Sequence, residues 1–382
     1  MTFDPSPKPP ISSETIEHFV RLTEPLCPDL TRYRKRLETI WNARWFTNNG
    51  TQVVELETAL KRLLKLKDYT VCSSGTTALQ IALKTLDVRG EVILPPLSFP
   101  ATLTPLLWQD LTPVFADVNE KLLIDPESIE RLITPDTGAI LGVHLFGNLC
   151  DFEAIQDIAE RYQLKVIYDA AHAFGAEIHG EPIADLGDAT IHSFHATKLF
   201  HTAEGGGLAF NKLSLHKAAA QLRNFGFTGE HRVESPGING KMSELHAALG
   251  LEVLDLVDEE ARKRRDLYDY YSTQLRSNER VKILSPNDEG TRFSQFFALL
   301  LDDARITETA FQRLREQNIL ARRYPLPILS NLGFTRSLPS ASPTLLPKAN
   351  DLAQRVICLP FYGDLFKETA DRICEIVEAA TT

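Results

Sequence analysis

Between residue 70 and about residue 210, short apolar runs alternate with segments whose apolar residues recur at helical spacing. The runs are Val92–Leu94, Val114–Ala116, Ala139–Val143, Val166–Tyr168, Thr190–Ser193 and Gly207–Phe210. Ala78, Leu79, Ala82, Leu83 and Leu86 form one apolar stripe, and Phe152, Ile155, Ile158 and Ala159 form another. Near-continuous apolar strands separated by amphipathic helices predict an α/β unit whose mostly parallel sheet is covered on both faces. Beyond it, Ser243 is the expected N-cap of a helical stretch running to about Ser277. An apolar run at Phe296–Leu301, a helix near 307–317, a Pro/Leu/Ser-rich loop over 325–348 and a closing helix near 365–380 predict a second, smaller α+β unit. The expected division is an extension over 1–22, a large domain over 23–255 and a small domain over 256–382.

A chain of 382 residues accommodates two such units. Its formal net charge of −10 argues against nucleic acid as a partner. No run approaches the roughly 18–20 apolar residues that cross a bilayer, and the opening MTFDPSPKPP is unlike a secretory leader. Five scattered cysteines without a C-x-x-C pair fit reduced thiols, so the expected compartment is the cytoplasm. His192, His195 and His201 lack a second ligand cluster, which argues against a metal site. Asp258–Glu260 followed by Arg262–Arg265 reads as a solvated helix face with opposite charges a turn apart.

Four segments carry candidate chemistry. In Cys72-Ser-Ser-Gly-Thr-Thr-Ala-Leu79 a small-residue loop opens into a helix. Gly75 allows close backbone approach, and Thr76 and Thr77 add hydroxyls, a combination suited to a phosphate. A capped helix and nothing more is the alternative. Asp169 ends the run Val166-Ile-Tyr-Asp169, where open α/β sheets bind ligands; it also reads as an N-cap for a helix from Ala170. In His192-Ser-Phe-His-Ala-Thr-Lys198, the lysine has no charged neighbour on its N-terminal side and only Glu204 downstream, before Gly205–Gly207. It is either a solvated loop lysine or an amine held for chemistry. The glycines read as a turn or as a strand packed on another backbone. The fourth segment, Gly237-Ile-Asn-Gly-Lys241 through Gly250, reads as a loop and a helix of small apolar residues.

A phosphate cradle, a buried acid and an isolated lysine at one sheet edge are what pyridoxal 5'-phosphate needs for its phosphate, its pyridinium nitrogen and its aldehyde. A lysine without a nearby anion can also have a lowered pKa, which would leave its amine neutral enough to attack.

With these segments in place, the chain resembles the DegT-type nucleotide-sugar aminotransferases of the aspartate-aminotransferase fold (fold type I). The resemblance runs from about Thr23 to about Ala380. It is carried by Trp45–Gly50, Ser74–Leu79, Asp169–Ala176, Ser193–Lys198, Glu204–Gly206 and Lys241–Ala248. It implies a three-layer large domain, a smaller C-terminal domain and pyridoxal phosphate as cofactor. Lys198 would form the Schiff base and move the proton between the substrate carbon and the cofactor. Asp169 would hold the pyridine nitrogen protonated. Gly75, Thr76 and Ser193 would bind the phosphate, Phe99 would stack on the ring, and His172 would sit near the 3'-oxygen. Asn239 and Lys241 would reach the phosphate of the partner subunit, so the sites would be shared in a homodimer.

Ala196 and Leu199-Phe-His201 depart from many relatives. The F-H-A-T-K form is similar to a subgroup acting on dTDP-linked 4-keto-6-deoxy sugars, with glutamate as amino donor. Arg322-Arg-Tyr324 resembles a segment over the active site. Two cations there would meet the sugar diphosphate, with Tyr324 and His195 facing the sugar. The alternatives are a 3-keto sugar aminotransferase, a regulator that keeps the fold without turnover, and the sugar dehydratase branch, against which Lys198 speaks.

Overall fold

The computed structural model describes residues 19–285 and 295–382. Two helices, α1 (Leu30–Ala43) and α2 (Thr51–Leu63), precede a seven-stranded sheet. Its strands are β1 (Thr70–Cys72), β2 (Glu91–Leu94), β3 (Thr112–Phe115), β4 (Thr137–Val143), β5 (Lys165–Asp169), β8 (Ala189–Ser193) and β9 (Gly206–Phe210), in the order β1-β9-β8-β5-β4-β2-β3. Between β5 and β8 lies a small hairpin of β6 (Glu177–Ile178) and β7 (Glu181–Pro182). From β3 across to β8 every pairing is parallel, whereas β9 runs against both β8 and β1. Parallel neighbours need crossovers. Helices α3 (Gly75–Thr85), α4 (Pro100–Leu107), α5 (Pro126–Leu132) and α6 (Phe152–Tyr162) link the strands from β1 to β5, and the segment with the β6–β7 hairpin links β5 to β8. The arrangement is α/β and mostly parallel, as the alternation predicts. Its consequence for function is positional: the carboxyl ends of β1, β2, β4, β5 and β8 and the start of β9 converge on one edge.

Most strand residues are buried, including Val92, Ile93, Ile140, Leu141 and Ile167 at 0% exposure. These double-sided apolar runs join the stripes of α3 and α6 in one core. After β9 come α7 (Leu213–Leu222) and a second hairpin of β10 (Phe227–Gly229) and β11 (Arg232–Val233).

The long helix expected after Ser243 is two helices, α8 (Glu244–Leu254) and α9 (Val257–Leu275). The break has a packing cause. Ala247, Leu251 and Val253 of α8 join the cluster around α2, while Tyr268, Tyr271 and Leu275 of α9 belong to the small unit's core. One straight rod cannot present a stripe to both. The face read as solvated is also only partly so. Arg262 pairs with Glu259 and Asp266 in water, but Glu260 and Arg264 form a buried pair at 2.5 Å. Glu260 also accepts the Gly363 N–H at 2.9 Å, because the segment after residue 360 covers that side of α9.

The small unit is an antiparallel sheet of β12 (Val281–Ile283), β13 (Phe297–Leu301) and β14 (Val356–Leu359), with helices α10 (Ala304–Glu316), α11 (Pro347–Arg355) and α12 (Lys367–Thr381). Helix α11 begins inside the last two residues of the segment read as loop, 325–348. Pro347 stands at its first turn, where proline is compatible with a helix. Asp117 of the large unit accepts the α11 N–H groups of Ala349 and Lys348 at 2.8 and 3.1 Å. Residues just inside the expected N-terminal extension join the small unit: Val20 bonds Asn318 and Leu320, and Leu22 accepts from Phe361.

Candidate active site

A cavity of about 330 Å³ opens where the strand ends converge; small-molecule sites run to about 300–1,000 Å³. Gly75 and Thr76 enter it after β1, Phe99 after β2, Asp169 from the end of β5 and Ser193 from the end of β8. His172, His195 and Lys198 line it from loops, and Phe296, Arg322 and Tyr324 from the small unit. A larger groove of about 610 Å³ around Gly90 and Trp108 contains none of these residues.

The helix start at Gly75 is built for close approach. A side chain at Gly75 would meet Ser193 Cβ at 3.0 Å, and one at Gly206 would meet the Gly75 nitrogen at 2.4 Å. The glycine run before Leu208 is thus a strand laid against the Ser74–Gly75 backbone. Ser74 is the N-cap, accepting the Thr77 N–H at 3.0 Å. The Thr77 hydroxyl bonds Ser74 and Ser73 at 2.9 and 3.2 Å. Thr77 therefore serves the helix, while Thr76 faces the cavity. The first N–H groups of the helix have no intrahelical partner, and they point their positive end at the same space.

Asp169 caps no helix, since no helix starts at Ala170. Its carboxylate accepts the Thr102 hydroxyl at 2.7 Å and the Ala171 N–H at 3.0 Å. Thr102 gives its one proton to Asp169, so Ser98, at 2.6 Å, donates to Thr102. Burial pushes the Asp169 carboxyl up from its ordinary range, against the pull of the Thr102 and Ala171 bonds and the Lys198 charge.

Lys198 is anchored by the two residues after it. Leu199 and Phe200 are buried in the cluster around α2, with Phe200 edge-on to Phe194 at 4.7 Å and stacked on Phe174 at 5.2 Å. The amine lies 5.8 Å from the Phe296 ring centroid. Removal from water lowers its pKa to about 8; Asp169 opposes that shift, and the Arg322 charge adds to it. His172 is held well below the ordinary imidazole value by burial and by the charges of Lys198 and Arg322. Its Nδ1 accepts the Phe146 N–H at 3.3 Å, so Nε2 carries the proton of the neutral ring. Phe146 offers that N–H from a left-handed backbone, φ 58°. Its ring packs behind His172, Phe296 and Tyr324, which wall one side of the cavity.

Not every expected residue comes to this cavity. Arg323 turns away, bonded to Glu308 and to the Gln354 carbonyl, so only Arg322 of the two cations faces it. The cause is backbone alternation: Arg322 pairs with Cys358 in an antiparallel bridge, which sends the next side chain to the other face. Arg322 instead stacks on Tyr324 at 5.1 Å. His195 is half-exposed at the mouth, with Nδ1 2.9 Å from the Thr197 hydroxyl and Nε2 3.8 Å from Glu204. Within one chain, Asn239 is exposed and Lys241 lies over the Phe225 ring at 4.7 Å. Lys241 lines a separate cavity of about 220 Å³ with Asn49 and Arg223. Sequence reasoning missed Thr102, Ser98, Phe146, Gln295 and Phe296. The one available signal was a polar Gln295 set directly before an apolar strand.

The sequence matches the DegT/DnrJ/EryC1/StrS aminotransferase family over residues 30–378. The chain belongs to this family. It is 38% identical to a dTDP-4-amino-4,6-dideoxy-D-glucose transaminase of Escherichia coli, over 94% of this chain and 98% of that one. A protein of the same description from Shigella dysenteriae is 39% identical, over 95% and 99%. Among solved structures, DesI in the presence of its TDP-sugar product superposes with a TM-score of 0.88 at 30% identity, covering 95% of this chain and 93% of that one. The family's aminotransferases use pyridoxal phosphate, and the cavity fits it on chemical grounds. It offers unpaired helix N–H groups and the Thr76 and Ser193 hydroxyls for a phosphate, a buried carboxylate for a ring cation, and a desolvated amine for an aldehyde.

Proposed function

We propose that the chain is a homodimeric 4-aminotransferase that takes an amino group from glutamate and places it on C4 of dTDP-4-keto-6-deoxyglucose. The carrying observation is that the low-pKa amine of Lys198 and the buried carboxylate of Asp169 line one cavity with the Gly75 helix start. Likeness to the two dTDP-sugar transaminases over nearly the full chain supports the choice of sugar.

Bound there, the cofactor supplies an electron sink for the pair left when the donor carbon loses its proton. Gly75, Thr76 and Ser193 hold its phosphate, and Asp169, kept charged by Thr102 and Ala171, holds the ring nitrogen in its cationic form. Phe99, which lines the cavity, would cover the ring face. Lys198, with a pKa of about 8, has a substantial neutral fraction near neutral pH, so its Nζ both accepts and returns the proton at the reacting carbon. Tyr324 and Phe296, backed by Phe146, keep water from that carbon. Arg322 meets an anionic group of the substrate, and His195 stands at the mouth where a sugar enters. Asn239 and Lys241 lie outside their own chain's cavity, which supports the dimer, in which they serve the neighbouring subunit's phosphate.

The test is incubation with dTDP-4-keto-6-deoxyglucose, pyridoxal phosphate and glutamate, followed by NMR of the product. The expected product is the 4-amino-4,6-dideoxy sugar. An amine at C3, or turnover only with a UDP- or GDP-sugar, would overturn the substrate assignment.

A further inference from the structure

Lys198 stands on a loop, and a loop aims a side chain well only when its peptide groups are held. Those on either side of this lysine are held by one side chain from the small unit. Gln295, buried at 5% exposure, accepts the Leu199 N–H on its Oε1 at 2.8 Å. Its Nε2 donates to the Thr197 carbonyl at 2.9 Å. Only one orientation of the amide satisfies both bonds, because the reversed one sets donor against N–H and acceptor against carbonyl. The adjacent Phe296 completes the grip. Its ring faces the Lys198 amine at 5.8 Å, meets His172 edge-on at 4.6 Å and lies parallel to Tyr324 at 6.0 Å.

The two sides of the lysine are not equally secured otherwise. On the far side, Leu199 is anchored in the apolar core at 2% exposure. On the near side Thr197 is exposed, with its N–H and hydroxyl engaged by the half-exposed His195, whose own carbonyl accepts the Lys198 N–H at 2.8 Å; the Thr197 carbonyl of that peptide is left for Gln295. Gln295 is thus the buried fastening of the Thr197 carbonyl and ties it to the same point as the Leu199 N–H. Neither bond touches a group that reacts.

The structure assigns Gln295 as a positioning residue for the transamination. It fixes the peptide planes before and after Lys198, so that Nζ returns to one place for both the removal and the delivery of the proton. The assignment rests on reading Lys198 as the residue that bonds the cofactor's aldehyde. A misplacement of about 1 Å at a reacting group costs on the order of a hundredfold in rate, which sets the scale of the effect.

Gln295→Met keeps the volume and removes both bonds; Gln295→Glu keeps the acceptor for Leu199 but sets a carboxylate oxygen against the Thr197 carbonyl. The first measurement is amide hydrogen exchange on the chain without cofactor. In Gln295→Met the Leu199 amide should exchange at least about tenfold faster. The Phe194 and Thr202 amides, held by backbone carbonyls of the same loop at 2.8 and 3.0 Å, should not change. The second is turnover of the holoenzyme with ordinary and α-deuterated glutamate. The expected result is a kcat lowered about 10- to 100-fold, a larger deuterium effect on kcat, and a KM within about threefold of wild type. In Gln295→Glu the added charge should also raise the Lys198 amine above its pKa of about 8, as read by amine labelling.

Wild-type kcat and isotope effect in Gln295→Met would overturn the assignment. So would a rate loss in which Phe194 and Thr202 also lose protection, since that is a general loosening of the fold. Borohydride reduction of the wild-type holoenzyme separates this inference from the reading beneath it. Cofactor fixed to another lysine undoes the role of Lys198. Cofactor fixed to Lys198 with an unimpaired Gln295→Met undoes only that of Gln295.

Discussion

Thr102 makes no claim on substrate, yet its removal should disable the site through Asp169. Thr102→Val keeps the shape of a fully buried side chain and deletes the hydroxyl that meets the carboxylate at 2.7 Å. A hydrogen bond to a charged group contributes about 1.5–3 kcal/mol. Its loss therefore raises the Asp169 pKa further above what burial already imposes. The hold on a bound ring cation weakens by at most the same energy, about 10- to 150-fold, and by the full amount only where the carboxyl of the cofactor-free chain is protonated, so the loss is largest in acid. The pH dependence carries a definite sign. Burial sets the native pKa of Asp169 above that of the unfolded chain, near about 3.9. Its contribution to stability is thus complete below the unfolded value and lost as pH rises through the native one. Raising the native value extends that loss upward, so the stability gap between wild type and variant is smallest in acid and widens with rising pH. Urea unfolding of the cofactor-free chain between about pH 4.5 and 8.5 reads this directly, and a spectroscopic titration with pyridoxal phosphate reads the affinity. Thr102→Ser, which restores the donor, should recover most of both. A gap that does not change with pH, or an affinity within about twofold of wild type even in acid, would refute the reasoning.

Other expectations rest on the same geometry. Asp169→Asn keeps the volume and the fold but removes the charge, so turnover should fall by about two orders of magnitude or more, with weaker cofactor binding; near-normal turnover would reduce Asp169 to a structural bond to Ala171. In the cofactor-free protein, labelling of Lys198 by an amine reagent should titrate near pH 8, whereas exposed lysines react at much higher pH. An ordinary lysine titration at Lys198 would mean that the site is wetter than its geometry implies. Lys198→Ala should still bind pyridoxal phosphate reversibly but leave nothing for borohydride to fix, and it should lose transamination. Arg322→Ala should raise KM for an anionic substrate about tenfold or more. Arg323→Ala, whose cation is committed to Glu308 and Gln354, should leave KM unchanged and lower stability by up to about 1 kcal/mol; the reverse pattern in steady-state kinetics would exchange their roles.

The residues legible in the sequence are those that a parallel sheet exposes by rule. Asp169 and Ser193 terminate apolar runs, and Gly75 opens the helix after one, so all three land on the carboxyl edge without any knowledge of side-chain contacts. Lys198 is displaced from that edge by a short loop, and its isolation from charge is itself the signal. The parts that escaped are of another kind. Thr102 sits in Pro100-Ala-Thr-Leu-Thr-Pro105, where its hydroxyl reads as a small helix residue, and its partner Asp169 is 67 positions away. Gln295 reaches the Lys198 loop across about a hundred residues, |i−j| 96 and 98 for its two bonds. Bonds between remote segments leave no period in the chain. The same holds for the break after Leu254, which becomes visible only once two separate cores are known to claim the two helices. The sequence also posed an alternative at Ser74–Thr77, a cap or a phosphate site; the cap is present, and its geometry leaves room for the proposed phosphate as well. A helix start has four orphan N–H groups, and a side-chain cap satisfies one of them. Ser74 takes the Thr77 N–H and Thr77 turns its own hydroxyl back to Ser73 and Ser74. The cap fixes the first turn from behind, which leaves the Gly75 and Thr76 amides and the Thr76 hydroxyl to face the cavity. Capping and the proposed anion binding would be two halves of one device, because an uncapped end would fray and lose the aim of the amides that remain.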